Sequence, residues 1–186
     1  MNFFKSQKGA TLVLLLAIAF GVIFGTWRST MAEKKRVEAV FQEEIVELFH
    51  LRADAGYNLC SIASRYTGQG ELSGNAGDLI AATRETCDRI RNPVEATKPL
   101  IAVVTPMWYF SCNEVLTEQT AEIVEKLNAV NLSEADAQHV RSLMQELDSW
   151  NFVIANNEAY QSTAVHFNGV VLNPLARAMG FQAYLR

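Results

Sequence analysis

The sequence predicts an all-α protein: one N-terminal transmembrane helix that continues into an antiparallel bundle of about four helices. Three observations carry this. An uncharged apolar run occupies residues 9–27. Two long stretches place apolar residues at spacings of three and four, the signature of helices with one dry and one wet face. Pro (4) and Gly (10) are scarce in 186 residues, which disfavours both disorder and a turn-rich β architecture.

Composition narrows the class further. Hydrophobic residues make up 49% and charged residues 19%. Once the leader is set aside, roughly 150 residues remain, the usual size of one domain with one core. The expected organisation is a basic tail over 1–8, a transmembrane helix over 9–27 and a helical domain over 28–186. The net charge is −4, and without Lys5 and Lys8 the remainder holds 14 Lys and Arg against 20 Asp and Glu. Such an acidic domain is a poor nucleic-acid binder. Three cysteines, at 60, 87 and 112, are too few and too far apart for a disulfide framework or a CxxC site, and lone thiols point to a reducing compartment.

Gly9 to Trp27 (GATLVLLLAIAFGVIFGTW) spans about 28 Å at about 1.5 Å per residue, which matches a hydrocarbon core of about 30 Å. Phe3 and Phe4 on one side and Trp27 on the other stand where interfacial aromatics are favoured. A cleaved signal peptide is the competing reading, with Lys5 and Lys8 as the basic region and Thr30-Met31-Ala32 as a poor cleavage site. A pilin-like leader is a third, since Lys8-Gly9 before an apolar stretch looks like a prepilin processing site, although Leu14 stands where such proteins carry Glu. The anchor is favoured because the run exceeds a signal-peptide core. Lys5 and Lys8 precede the run, and Arg28, Lys34, Lys35 and Arg36 follow it. That asymmetry favours a single-pass protein of the plasma (inner) membrane with its C-terminal domain in the cytoplasm.

Thr30 to Ala55 contains neither Gly nor Pro. Val37, Val40, Phe41, Ile45, Leu48 and Phe49, then Leu59, Ile62, Ala63 and Tyr66, recur at helical spacing. The anchor therefore continues into one rod, which Gly25 or Gly56 could bend and Gly68-Gln69-Gly70 ends. Asn75 to Ile90 reads as a second helix, stopped by Pro93. Residues 94–115 read either as a buried hairpin-like insertion or as a broken helix, with Pro99 and Pro106 around LIAVVT and then Met107-Trp108-Tyr109-Phe110. A short helix follows around Asn113 to Val130. Ser133, with Asp136 three residues on, approximates a capping box. Behind it Val140, Leu143, Leu147, Ile154 and Phe167 mark a second rod reaching Asn173-Pro174.

The first rod ends with Arg52-Ala53-Asp54, three residues, then Asn58-Leu59. This resembles the RAD…NL signature of the LemA family. Tyr160-Gln161 and, one heptad later, Phe167-Asn168 resemble that family's paired Tyr-Asn repeats, and Asn173 to Phe181 (NPLARAMGF) is similar to its closing segment. The resemblance is marked at the two ends of residues 28–181, and residues 94–130 carry none of it. Tyr57 stands in place of an expected Pro, and Gln161 in place of Asn. What the resemblance implies is an antiparallel helical bundle on a membrane anchor, of a family with no agreed activity.

The chemistry in the sequence is sparse. Glu47-x-x-His50 has the spacing that bundle di-metal sites use. At about 100° per residue from core-facing Ile45, however, Glu47 lies at about 200° and His50 at about 140°, both on the wet side. Asp136-x-x-His139 sits in a first turn, where an acid serves capping. Glu43, Glu44 and Glu47 form an acidic patch read as a solvated face. Cys87 falls in an apolar stripe and reads as an inert thiol. His166 is a helix histidine between Val165 and Phe167. No catalytic, cofactor or metal-ligand residue is expected, and no cofactor.

Four polar residues stand out in otherwise apolar stretches: Arg52, Asp54, Asn58 and Asn168. Arg52 lies within about 20° of Ile45 on the dry face, and a buried Arg needs an acidic or carbonyl partner. These groups pair across helices and fix register, or they floor a polar groove for a peptide or small ligand. Trp108, Tyr109 and Phe110 are a contact patch or part of the core. The expected function is a non-enzymatic membrane-anchored scaffold with the lipid bilayer and an unidentified protein as partners; the alternatives are a pilin-like filament subunit and a metal- or ligand-binding bundle.

Overall fold

The computed structural model describes residues 7–72, 74–93 and 105–184. The start of the basic tail and the Pro-bounded stretch 94–104 lie outside them. Among the described residues all regular structure is helical: α1 (Gln7–Glu44), α2 (Val46–Arg65), α3 (Ala76–Arg91), α4 (Pro106–Asn128), α5 (Glu134–Ala155), α6 (Glu158–His166) and α7 (Pro174–Ala178). The chain divides into two compact units, residues 1–40 with 161–186, and residues 41–160; the sequence reading treats 28–186 as one domain.

Among the described residues, the unit 41–160 packs four helices, α2 to α5, as a bundle. Arg84 reaches Ser64 and Arg91 reaches Asp54, so α3 runs antiparallel to α2. Arg52 meets Asn113 and Thr117 while Gly56 faces Leu116 and Thr120, so α4 runs parallel to α2. Tyr66 meets Asp136 and Arg52 meets Leu147, so α5 is antiparallel again. A core that includes Leu59, Ala63, Ile80, Ile123, Leu127 and Leu147 fills the space between them. Gly56 permits the closest approach: a Cβ there would stand 3.1 Å from both Cys87 Sγ and Leu116 Cδ1. At one end, rings of Phe41, Phe49, Tyr109, Phe110 and Tyr160 pack with centroids 5.3–6.1 Å apart, within the range of favourable aromatic pairs.

The predicted first rod is helical throughout, with one irregular residue, Ile45. Its ladder carries on there, since Ile45 N donates to Phe41 O (3.0 Å) and Phe49 N to Ile45 O (3.2 Å). Gly25 and Gly56 both lie inside helices, so neither expected bend point interrupts the helix. Gly68 (φ +92°) and Gly70 (φ +50°) do end it, in the left-handed region that glycine enters at least cost.

Two readings need correction. The helix expected around Asn113 to Val130 begins earlier, at the Pro106 start of α4, while residues 94–104 of the Pro-bounded reading lie outside the described residues: Pro106 takes the first helical position, where its missing N–H costs nothing, and Thr105 Oγ1 accepts from Trp108 N (3.3 Å). The second rod is not continuous. Asn156 donates its amide to Phe152 O (2.8 Å), and Asn157 Oδ1 accepts from Tyr160 N (2.9 Å). Two asparagine side chains here compete with the helix ladder and divide α5 from α6. The predicted cap at Ser133 is present, with Ser133 Oγ accepting from Asp136 N (3.2 Å).

In the other unit, α1 carries the apolar run with its side chains exposed, Phe20 at 70%. This helix is long and apolar enough to cross a membrane. Residues 161–184 continue α6 into a π-helical turn (Phe167–Val171) and α7. Phe167 packs edge-on against Tyr184, centroids 5.3 Å apart.

Candidate functional site

The centre of the bundle is polar. Arg52 is 1% exposed, on the dry face where helical periodicity places it. Its Nε donates to Leu147 O (3.1 Å), Nη1 to Asn113 O (3.2 Å) and to Asn113 Oδ1, and Nη2 to Thr117 Oγ1 (2.8 Å). Asn113 Nδ2 passes the network on to Asn151 Oδ1 (3.0 Å), and Thr117 Oγ1 returns a bond to Asn113 O (2.8 Å). One guanidinium thus ties α2 to α4 and α5. Carbonyl, amide and hydroxyl oxygens, rather than a carboxylate, are its direct partners. Burial pushes its pKa down to about 10, with nearby Asp148 acting the other way, so it stays a cation at neutral pH.

Asp148 and Arg52 share a cavity of about 80 Å³ with Thr117, Val124, Met144 and Leu147. That is room for a few waters, well below the roughly 300 Å³ at which small-molecule pockets begin. The network therefore ties the helices together beside a cavity of water-scale volume. Asn113, Thr117 and Asn151 were not singled out in the sequence. Their only signal is the demand that Arg52 itself makes for partners.

Asp54 and Asn58 share a helix with Arg52 but not its site. Exposed Asp54 pairs with Arg91. Arg91 and Arg84 lie over the Tyr57 ring, 5.1 and 5.5 Å from its centroid, a cation–π arrangement at the position where the LemA resemblance expects Pro. Exposed Asn58 lines a groove of about 350 Å³ between α2 and α5 with Ser61, Arg65, His139, Ser142 and Glu146. Asn168 belongs to the other unit: its Nδ2 donates to Tyr184 O and its Oδ1 accepts from Tyr184 N, both at 2.8 Å. Arg52, Asp54 and Asn58 therefore do not converge on one groove floor. Arg52 is paired with α4 and α5, Asp54 with Arg91 and Asn168 with Tyr184, while Asn58 faces an open groove.

The aromatic run is also divided. Tyr109 is buried and Phe110 half-buried in the ring cluster; Trp108 keeps part of its surface, beside exposed Met107. Of the three residues of the contact patch expected from sequence, only Tyr109 is buried; Trp108 and Phe110 each keep part of their surface, and Met107, which was not in that patch, adds an exposed neighbour.

Asp136 accepts from Tyr66 Oη (2.6 Å) and Ser133 Oγ (3.0 Å) and pairs with Arg65 at 2.8 Å. The Tyr66 hydroxyl, countered in part by burial and aided by Ser133 and Arg65, holds its carboxyl below the usual range. Glu47 is exposed, in keeping with its place off the apolar stripe, whereas His50, expected on the same wet side, is half-buried with its Nε2 buried and its Nδ1 3.9 Å from Glu47. His166 is exposed. Burial pushes the Cys87 thiol up to about 12 and Cys60 to about 11, and raises Cys112; such thiols are poor nucleophiles at neutral pH. Among the described residues, no three His, Cys, Asp or Glu are grouped to hold a metal ion.

No family model, no curated protein and no solved structure matches the chain.

Proposed function

We propose that this chain is a membrane-anchored helical interaction protein of the LemA-like type, working by presenting helix faces to other proteins rather than by a reaction of its own. The observation that carries the reading is the exposed, uncharged run Gly9–Trp27, which passes without a break in helix into a sequence that folds as a bundle. Exposed side chains such as Leu14, Leu16 and Phe20 are costly in water and stable in hydrocarbon. The Arg52 network supports a structural use of the residues that carry the LemA resemblance. Arg28, Lys34, Lys35 and Arg36 after the run favour a cytoplasmic bundle in the plasma (inner) membrane.

Met107 and Trp108 are the contact patch in this account. Crosslinking of the full chain in native membranes, compared between wild type and the Met107→Ser, Trp108→Ser double variant, tests it. Loss of specific crosslinked bands in the variant is the expected result, since Trp is among the residues that carry most interface energy and Met is enriched at interfaces. An unchanged band pattern contradicts the patch. A stoichiometric metal in purified protein would contradict the non-enzymatic scaffold in favour of a metal-binding bundle.

A further inference from the structure

Residues 161–184 and the end of the apolar run in α1 share one wall. A groove of about 390 Å³ is lined by Gly25, Thr26, Ser29 and Thr30 on one side and by Val170, Val171 and Asn173 on the other. Gly25 and Thr26 lie within the run that ends at Trp27. Val170 is therefore level with the end of the hydrophobic segment. The Tyr184 hydroxyl donates to Glu38 Oε1 (3.3 Å), and Glu38 is twelve residues beyond Thr26, about 18 Å further along the helix. The segment thus follows α1 outward from the level of Val170.

Its side chains divide by environment. Phe167 and Leu172 are buried, while Val170, on the π-helical turn, is 68% exposed. Residues 161–186 contain no Asp or Glu, and the unit they form with residues 1–40 has eight Lys and Arg against two Glu; residues 41–160 have eight against eighteen acids. Arg28, Lys35, Arg36 and Arg177 are exposed. An exposed apolar tip on a cationic body, with no carboxylate in the folded-back segment, is the composition of an element that lies in a membrane interface.

We propose that the turn Phe167–Val171 is a second membrane contact, with Val170 inserted at the interface of the bilayer that α1 enters and the flanking cations at headgroup level. The occupant is lipid because the apolar tip is continuous with the surface of the spanning run. This inference rests on the reading of α1 as an anchor. The Asn168–Tyr184 pair acts here as a clasp that holds the turn in shape.

The test uses the full chain in phosphatidylcholine–phosphatidylglycerol vesicles, with an environment-sensitive fluorophore on one introduced cysteine: Val170→Cys, Phe20→Cys within the run, or Ala39→Cys, exposed on α1 beyond Glu38. The native thiols are buried, and unmodified protein serves as the labelling blank. Nitroxide-bearing lipids are expected to quench the probe at 170 at least about twofold more than the probe at 39. Aqueous iodide should show the reverse order. If the probe at 20 is quenched by lipid and the probe at 170 behaves like that at 39, the second contact is overturned and the anchor stands. If the probe at 20 also behaves like that at 39, the anchor reading fails and takes this inference with it.

Discussion

Two regions of this molecule treat the same side-chain chemistry in opposite ways. In residues 41–160 a cation is buried and its hydrogen bonds are completed by oxygens of two neighbouring helices, while eighteen acids and eight bases make the unit strongly acidic. In residues 1–40 with 161–186 the apolar side chains of α1 point outward and the charge is basic. A water-soluble bundle hides hydrocarbon and exposes charge; a helix made for lipid does the converse. The difference is the one expected if α1 enters lipid and the bundle stays in water, and the buried polar centre of the first region is where its stability is tested first.

The polar centre gives the largest expected effect. Arg52→Ala leaves the Asn113 and Leu147 acceptors and the cavity beside Asp148 unfilled, and is expected to lower stability by about 3 kcal/mol. Denaturant unfolding of detergent-solubilised protein, followed by tryptophan fluorescence, measures it. A loss under about 1 kcal/mol would mean that the network is decorative. Gly56→Val comes next, at about 2 kcal/mol, because its Cβ would crowd Cys87 and Leu116 at 3.1 Å; the same assay reads it, and an unchanged midpoint would deny close helix contact.

Ser133→Ala removes the cap of α5 and should cost about 1 kcal/mol. The neighbouring Asp136 gives this end of the bundle a pH dependence. Its carboxyl titrates below the ordinary 3.8 in the folded state, so its stabilising contribution is complete above that value and disappears as pH falls through the lower, folded pKa. Asp136→Asn should therefore flatten the acid limb of the stability–pH curve, and an acid limb identical to wild type would exclude Asp136 as its source. Smallest is Asp54→Ala. Its pair with Arg91 is at the surface, where about 0.5 kcal/mol is typical, so a loss above about 2 kcal/mol would assign this pair a role beyond that of a surface contact.

Much of this architecture is legible in the sequence where it depends on local periodicity. The apolar run, the dry-face position of Arg52, the cap at Ser133, the end of α2 and the extent of α3 follow from apolar spacing, turn glycines and the Ser133 capping chemistry. What was not legible depends on contacts distant in the chain. Asn113 and Asn151 become partners of Arg52 only when α4 and α5 pack against α2. Tyr109 and Phe110 turn inward because Phe41 and Phe49 stand opposite, which a run of adjacent aromatics cannot reveal. The break at Asn156-Asn157 was missed because apolar spacing continues through it while the side-chain amides end the ladder. The return of residues 161–184 along α1 is tertiary and leaves no periodic trace.

The central claim is that Gly9–Trp27 is a retained membrane anchor. The most direct measurement is the intact mass of the chain recovered from alkali-washed membranes, with a C-terminal reporter that distinguishes cytoplasm from exterior. The account predicts a membrane-bound chain that retains residues 9–27 and a reporter signal from the cytoplasm. A soluble product shortened near Ala32 would contradict the anchor in favour of a cleaved leader, and a product processed after Gly9 would place the chain among pilin-like subunits.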